Sequence, residues 1–231
     1  MARPSHKAVR VETALRLRAP VARDGLPYVG GGAALALAAA WAGWPWAAWP
    51  LGLATAFSAF FFRDPERRPP PDPDAVLSPA DGKVVQIRPE ENGGARVSVF
   101  LSVFNVHINR SPVKGRVVGA EYQAGRFRAA FRREASAENE RNTVRILPAA
   151  GPGEERREVA VRQIAGVLAR RIVCWARTGD ELEAGERLGL IKFGSRVDLF
   201  LPPQARVVVR EGDRVRGGLD IVARWEKGRG T

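Results

Sequence analysis

"LGLIKFGSRVDLFLP", residues 188–202, holds two apolar alternations separated by Gly194-Ser195. Leu188 and Leu190 recur with period two before the break, and Val197, Leu199 and Leu201 after it. That period marks half-buried β-strands, so this stretch sets the class of the domain around it. The local reading of Gly194-Ser195 is a hairpin turn, because Gly at the first central position suits type II′ geometry. The pair carries no meaning by itself: 24 Gly and 8 Ser in 231 residues give about 0.8 such pairs by chance. Specificity has to come from other residues.

Further strands surround the stretch. "KVVQIR" (83–88), "RVSVFLSV" (96–103), "GRVVGAEY" (115–122), "NTVRILPA" (142–149), "REVAVRQI" (157–164) and "GVLARRIVCW" (166–175) precede it. "ARVVVR" (205–210) and "LDIVAR" (219–224) follow. So many short strands with turn signals between them predict a mainly β, barrel- or sandwich-like domain over residues 76–231. "SPADGKVVQI" and "EGDRVRGGLDIVAR" also resemble the hairpins of lipoyl- and biotinyl-carrier folds. A carrier would present a modifiable lysine at a hairpin tip, whereas this tip is Gly194-Ser195 with Lys192 two residues earlier.

The N-terminal third differs in kind. Residues 1–25 are basic and polar, and Leu26 to Phe62 contains no charged residue. A membrane-spanning helix needs about 20 apolar residues, so this run holds two slightly short helices broken at "GWPW", 43–46. Trp41, Trp44, Trp46 and Trp49 cluster there, as rings do at a lipid–water boundary. Arg flanks both ends, which predicts a hydrophobic helical hairpin with both termini on the cytoplasmic face of the cell membrane, either spanning or re-entrant. "ALA" at 36–38 resembles a signal-peptidase site, but a second apolar run and more arginines follow it. Residues 63–75 are a Pro-rich linker.

The formal charge of +12 favours anionic partners, an acidic lipid surface or a nucleic acid. No nucleic-acid motif accompanies the charge, so nucleic acid is not expected as a partner. Cys174 is the single cysteine, and His6 and His107 are the only histidines. No zinc spacing exists, and no metal is expected.

Three pieces of the β domain carry candidate chemistry. Asp81-Gly82 in "LSPADGKVVQI" (77–87) reads as a tight turn. His107 in "FNVHINRSPVKG" (104–115) follows a long apolar strand and reads first as a hydrogen-bonded structural residue. Ser195 completes an Asp, His and Ser set, the ingredients for activating a hydroxyl. No G-x-S-x-G elbow or alternating helix–strand scaffold supports an α/β-hydrolase.

The ensemble resembles the small, membrane-bound bacterial phosphatidylserine decarboxylases. The resemblance runs through the apolar hairpin with "FFRDPERRPP" (61–70), then "SPADGKV", "NVHINRSPVKG", "ASAENERN" (135–142) and "RLGLIKFGSRVDLFLP" (187–202), in this order. It implies autocatalytic serinolysis between Gly194 and Ser195, giving chains 1–194 and 195–231 that stay associated. Ser195 then becomes a covalent pyruvoyl group, which forms a Schiff base with phosphatidylserine and releases CO2 and phosphatidylethanolamine without pyridoxal phosphate or metal. His107 matches the family's histidine for proton transfer, and Asp81 its acidic residue that orients or polarises a partner. Glu138, Asn139, Arg141 and Asn142 match a segment near the substrate. Longer relatives have a second histidine where this chain has Arg110, so the resemblance leaves open whether His107 serves the cleavage, through an Asp–His–Ser relay, or the decarboxylation.

Overall fold

A computed structural model describes residues 20–125, 139–149, 156–166, 171–192 and 195–226. Gly194 and Glu138 lie outside the described residues. The chain forms two units, Met1–Glu66 and Arg67–Thr231.

In the first unit the charge-free run folds as helices α1 (Leu26–Trp41) and α2 (Pro45–Phe61). Gly43, at φ 71°, turns the chain between them. Pro45 sits in the first turn of α2, where its missing N–H costs nothing. The helices run antiparallel at close range. A Cβ on Gly32 would stand 2.4 Å from Thr55 Oγ1, and Tyr28 stacks on Phe62 with ring centroids 5.4 Å apart. The open end is closed by backbone bonds from Ala22 to Phe62 (2.8 Å) and from Asp64 to Pro20 (2.9 Å). No helix among the described residues is long and apolar enough to cross a membrane. The 16 and 17 residues of α1 and α2 extend about 24 and 26 Å, short of the roughly 30 Å hydrocarbon layer.

The second unit is β throughout its described residues. Its strands are β1 (Ala75–Leu77), β2 (Gly82–Pro89), β3 (Ala95–Leu101), β4 (Ile108–Arg110), β5 (Gly115–Gln123), β6 (Arg141–Pro148) and β7 (Val159–Ala165). There follow β8 (Arg171–Cys174), β9 (Glu181–Leu182), β10 (Arg187–Lys192), β11 (Ser195–Leu201), β12 (Ala205–Val207), β13 (Arg214–Val215) and β14 (Ile221–Trp225). Eight of them form one antiparallel sheet in the order β13-β2-β3-β11-β7-β6-β5-β9, curled into a half-barrel. Two three-stranded sheets, β1-β14-β12 and β4-β10-β8, complete the unit. The expected mainly β class holds, and the large sheet is a curled half-barrel.

The hairpin expected at Gly194-Ser195 does not form. β10 pairs with β4 and β8, whereas β11 pairs with β3 and β7. Each strand already has both edges occupied, so neither offers the other a free edge. The chain passes from one sheet to the other between Lys192 and Ser195. Gly189 allows the tight pairing of β10, since a Cβ there would lie 2.1 Å from Val173 O.

Alternation decides what the large sheet buries. Val97, Val99 and Leu101 of β3 share an inner face with Val197, Leu199 and Leu201 of β11 and with Val159 and Val161 of β7. Ile146 of β6 is fully buried, while its neighbour Leu147 is 46% exposed. Ile146→Ala is therefore expected to lower stability by about 2–5 kcal/mol. Leu147→Ala should change it by about 0.5 kcal/mol or less. Urea denaturation of the two variants measures this, and equal losses would contradict the register.

Candidate active site

Ser195 opens β11 between Leu101 of β3 and Ala165 of β7. It is fully buried, and its Oγ has no hydrogen-bond partner among the described residues. Its parity along β11 is that of Val197 and Leu199, so an apolar residue would suit the position better. A buried hydroxyl without a partner costs about 1–3 kcal/mol. That cost makes Ser195 a candidate for chemistry rather than packing.

His107 is also buried, just before β4. Its Nδ1 lies 2.9 Å from the carbonyl of Asn105. In the neutral ring Nδ1 then carries the proton, and Nε2 presents a lone pair. The His107 carbonyl accepts from Ile191 N at 3.3 Å, which ties the histidine to β10, the strand that precedes Ser195. His107 and Ser195 are not hydrogen-bonded, because Ser195 Oγ bonds to no described residue.

Asp81 stands at the same end of the large sheet as Ser195, since Lys83, Phe100 and Arg196 share one cross-strand row. Its carboxylate is held in a fork by Arg67, with Nη2 donating to Oδ2 at 2.8 Å and Nη1 to Oδ1. Gly217 N donates to Oδ1 at 2.7 Å, and Arg67 Nη1 also reaches the Gly217 carbonyl at 2.5 Å. Both side chains are nearly buried, at 7% and 11% exposure. The clasp joins the Pro-rich segment to the turn after β13, and no hydrogen bond links Asp81 to His107. Arg110 borders the same turn: its Cδ lies 2.8 Å from the position a Cβ would take on Gly218, and its Nη1 donates to Gly185 O at 3.0 Å.

The described part of "ENERN" folds against Ser195's neighbour. Asn139 Nδ2 donates to Ala165 O at 2.7 Å, and Ala165 N donates to Glu140 O at 3.0 Å. Arg141 is half-buried, and its Nε donates to Gln123 Oε1 at 2.5 Å. Asn142 Nδ2 donates to Gln163 Oε1 at 3.0 Å.

Two buried amides escaped the sequence reading. Gln163 Nε2 donates to Asn109 Oδ1 at 2.8 Å, inside the layer between the two sheets. Gln163 had a visible signal, because it holds the inward parity of Val159, Val161 and Ala165. Asn109 had none, since β4 is only three residues long. Burial pushes the Cys174 thiol up, and a hydrogen bond from Asn142 partly offsets this. On the opposite face of β11, Arg196 and Asp198 form a buried ion pair at 2.6 Å, with Ser98 Oγ accepting from Arg196 Nη2 at 2.8 Å. Among the described residues no group of three or more His, Cys, Asp or Glu is placed to hold a metal ion.

A family model described as phosphatidylserine decarboxylase matches residues 54–223. Three curated relatives are named phosphatidylserine decarboxylase proenzyme. The one from Desulfotalea psychrophila is 41% identical over 214 residues, covering 90% of this chain and 98% of its own. The one from Solibacter usitatus is 46% identical over 204 residues, covering 88% and 96%. The one from Symbiobacterium thermophilum is 46% identical over 215 residues, covering 90% and 97%. The family-model match spans every site residue described above, from Arg67 to Gly218.

The Arg67–Asp81 clasp makes its own prediction. Removing one partner leaves the other buried and uncompensated, at a cost of about 3–5 kcal/mol. Arg67→Met and Asp81→Leu should each show that loss in urea denaturation, and the double variant should lose much less than their sum. Strictly additive losses would mean that the two side chains do not act as a pair.

Proposed function

This chain belongs to the phosphatidylserine decarboxylase family, and from that membership we propose that it cuts itself between Gly194 and Ser195 and then decarboxylates phosphatidylserine to phosphatidylethanolamine. The observation that carries the reading is the buried Oγ of Ser195, without a partner among the described residues, at the head of a strand paired on both edges. An orphaned hydroxyl in a rigid setting fits a nucleophile whose target is its own backbone.

The self-cleavage balances without an added reagent except water. Ser195 Oγ attacks the Gly194 carbonyl, the C–N bond breaks, and the hydroxyl proton passes to the residue 195 nitrogen, leaving an ester. Loss of the Cα proton of residue 195 then breaks the Cβ–Oγ bond, and Oγ departs with the new carboxylate of residue 194. Water displaces ammonia from residue 195 and leaves a pyruvoyl terminus. That group, when present, supplies the electron sink for loss of CO2 that pyridoxal phosphate supplies elsewhere.

The chain's own residues have defined tasks in this scheme. His107, protonated at Nδ1, is the proton carrier, held by Asn105 and tied through Ile191 to the strand that leads to Ser195. Asp81, kept in place by Arg67 and Gly217, holds the turn beside that end of the sheet. Asn139 and Asn142 brace Ala165 and Gln163 behind Ser195, and Arg141 with Glu138 completes the substrate segment. The fragment 195–231 carries β11 to β14, each paired with the larger chain directly or through β14. Strand pairing on both edges of β11 keeps the two chains together after cleavage.

Residues 26–62 attach the protein to the cytoplasmic face of the cell membrane. Leu37, Trp41, Trp46, Trp49 and Leu53 are all more than two-thirds exposed, an apolar surface suited to lipid. Helices of 16 and 17 residues suit insertion from one side. The excess of basic residues adds attraction for anionic lipid, about 1 kcal/mol per Arg or Lys near the surface.

Two variants test this reading in phosphatidylserine vesicles. Ser195→Ala is expected to stay whole on denaturing gels and to release no CO2; release by that variant would remove the serine-derived group from the reaction. His107→Ala is expected to lower CO2 release by roughly 10²–10⁴-fold, and wild-type rates would take the histidine out of the chemistry.

A further inference from the structure

A short line of buried amides runs from Asn142 and Gln163, on the inner face of the large sheet, to Asn109 on β4, and the scheme above gives Gln163 and Asn109 no part in the chemistry. Asn142 is 4% exposed, Gln163 1% and Asn109 0%. Three buried amides in a valine and leucine core are costly unless each is bonded. Here the bonding has a direction. Asn142 Nδ2 donates to Gln163 Oε1, which leaves the Gln163 amide nitrogen facing Asn109. Asn109 Oδ1 therefore accepts, and Asn109 Nδ2 is left as a buried donor without a hydrogen-bond partner among the described residues.

The place where this donor ends is informative. Ala165 stands opposite Ser195 and Gln163 opposite Val197, so Gln163 is the diagonal inner neighbour of Ser195, about 7–8 Å away between Cα atoms. Asn109 pairs with Gly189. A Cβ on Gly189 would lie 3.2 Å from Gln163 Nε2, so the glycine leaves the space through which that amide reaches Asn109. One interior layer thus contains a donor, Asn109 Nδ2, and an oxygen, Ser195 Oγ, neither matched among the described residues.

We propose that Asn109 Nδ2 is the hydrogen-bond donor that meets Ser195 Oγ during self-cleavage, with Gln163 and Asn142 as the positioning residues that aim it. The inference rests on the self-cleavage reading given above. Its step is the elimination. As the Cβ–Oγ bond of the ester breaks, the electron pair stays on Oγ, which becomes a carboxylate oxygen of residue 194, and the Cα proton goes to a base. A preorganised N–H directed at that oxygen stabilises the charge as it forms. Loss of one such donor costs on the order of 10²-fold in rate.

Asn109→Asp in the full-length chain keeps the size and the acceptor facing Gln163 but removes the N–H. Cleavage is followed by intact mass, with a parallel incubation in hydroxylamine, which splits esters and leaves amides. The variant is expected to cleave on the order of 10²-fold more slowly than wild type and to accumulate whole chain that hydroxylamine divides at residue 195. The small fragment so released should begin with an unblocked serine. Gln163→Met leaves Asn109 in place but unaimed, and it should show the same ester with a smaller delay. Cleavage of both variants at the wild-type rate overturns the proposal. So does whole chain in both that resists hydroxylamine, because the block would then precede the ester. If wild type itself stays whole, the self-cleavage reading fails, a result distinct from a defect confined to the variants.

Discussion

β11 is fixed on every side. β3 pairs along one edge and β7 along the other, and Ser195 through Leu199 are buried on both faces. A strand so held has almost no freedom to move its first residue, and the rest of the site is arranged around that first residue. The apolar face of β11 secures the core through Val197, Leu199 and Leu201. On the polar face Arg196, Asp198 and Ser98 bond to one another and are buried. Residue 195 therefore sits on a strand held by pairing along both edges.

The site differs from a hydrolytic triad in how its groups are joined. Asp81 is committed to Arg67 and the Gly217 backbone, and His107 is oriented by the Asn105 carbonyl. The carboxylate fastens a turn while the imidazole is set by a peptide group. Arg110, in place of a second histidine, takes part in packing around Gly185 and Gly218. The pieces contributed by residues 195–226 are woven into the sheets.

Much of this was legible from the chain. Alternation located the long strands, because each has one face in the core, and the charge-free run over residues 26–62 marked the two helices. Four short strands, β1, β4, β9 and β13, gave no periodic signal in two or three residues. The Gly194-Ser195 hairpin was misread because local turn chemistry says nothing about which edges are already taken. That depends on β3, β4, β7 and β8, all distant in sequence. Ser195, His107 and Asp81 are candidates that rest on motif resemblance. The partner of Asp81 lies fourteen residues away in a linker that composition marked only as extended, and the Asn109–Gln163 bond spans fifty-four residues, so neither had a local trace.

The central claim is that residue 195 exchanges its nitrogen for a carbonyl oxygen. The intact mass of the smaller chain from freshly purified protein tests it most directly. The account predicts a roughly 4 kDa fragment about 17 Da lighter than residues 195–231 with a serine terminus, the mass of one ammonia, and convertible by borohydride to a form about 2 Da heavier. A fragment with the full serine mass, or a single species at 25.2 kDa, would contradict it.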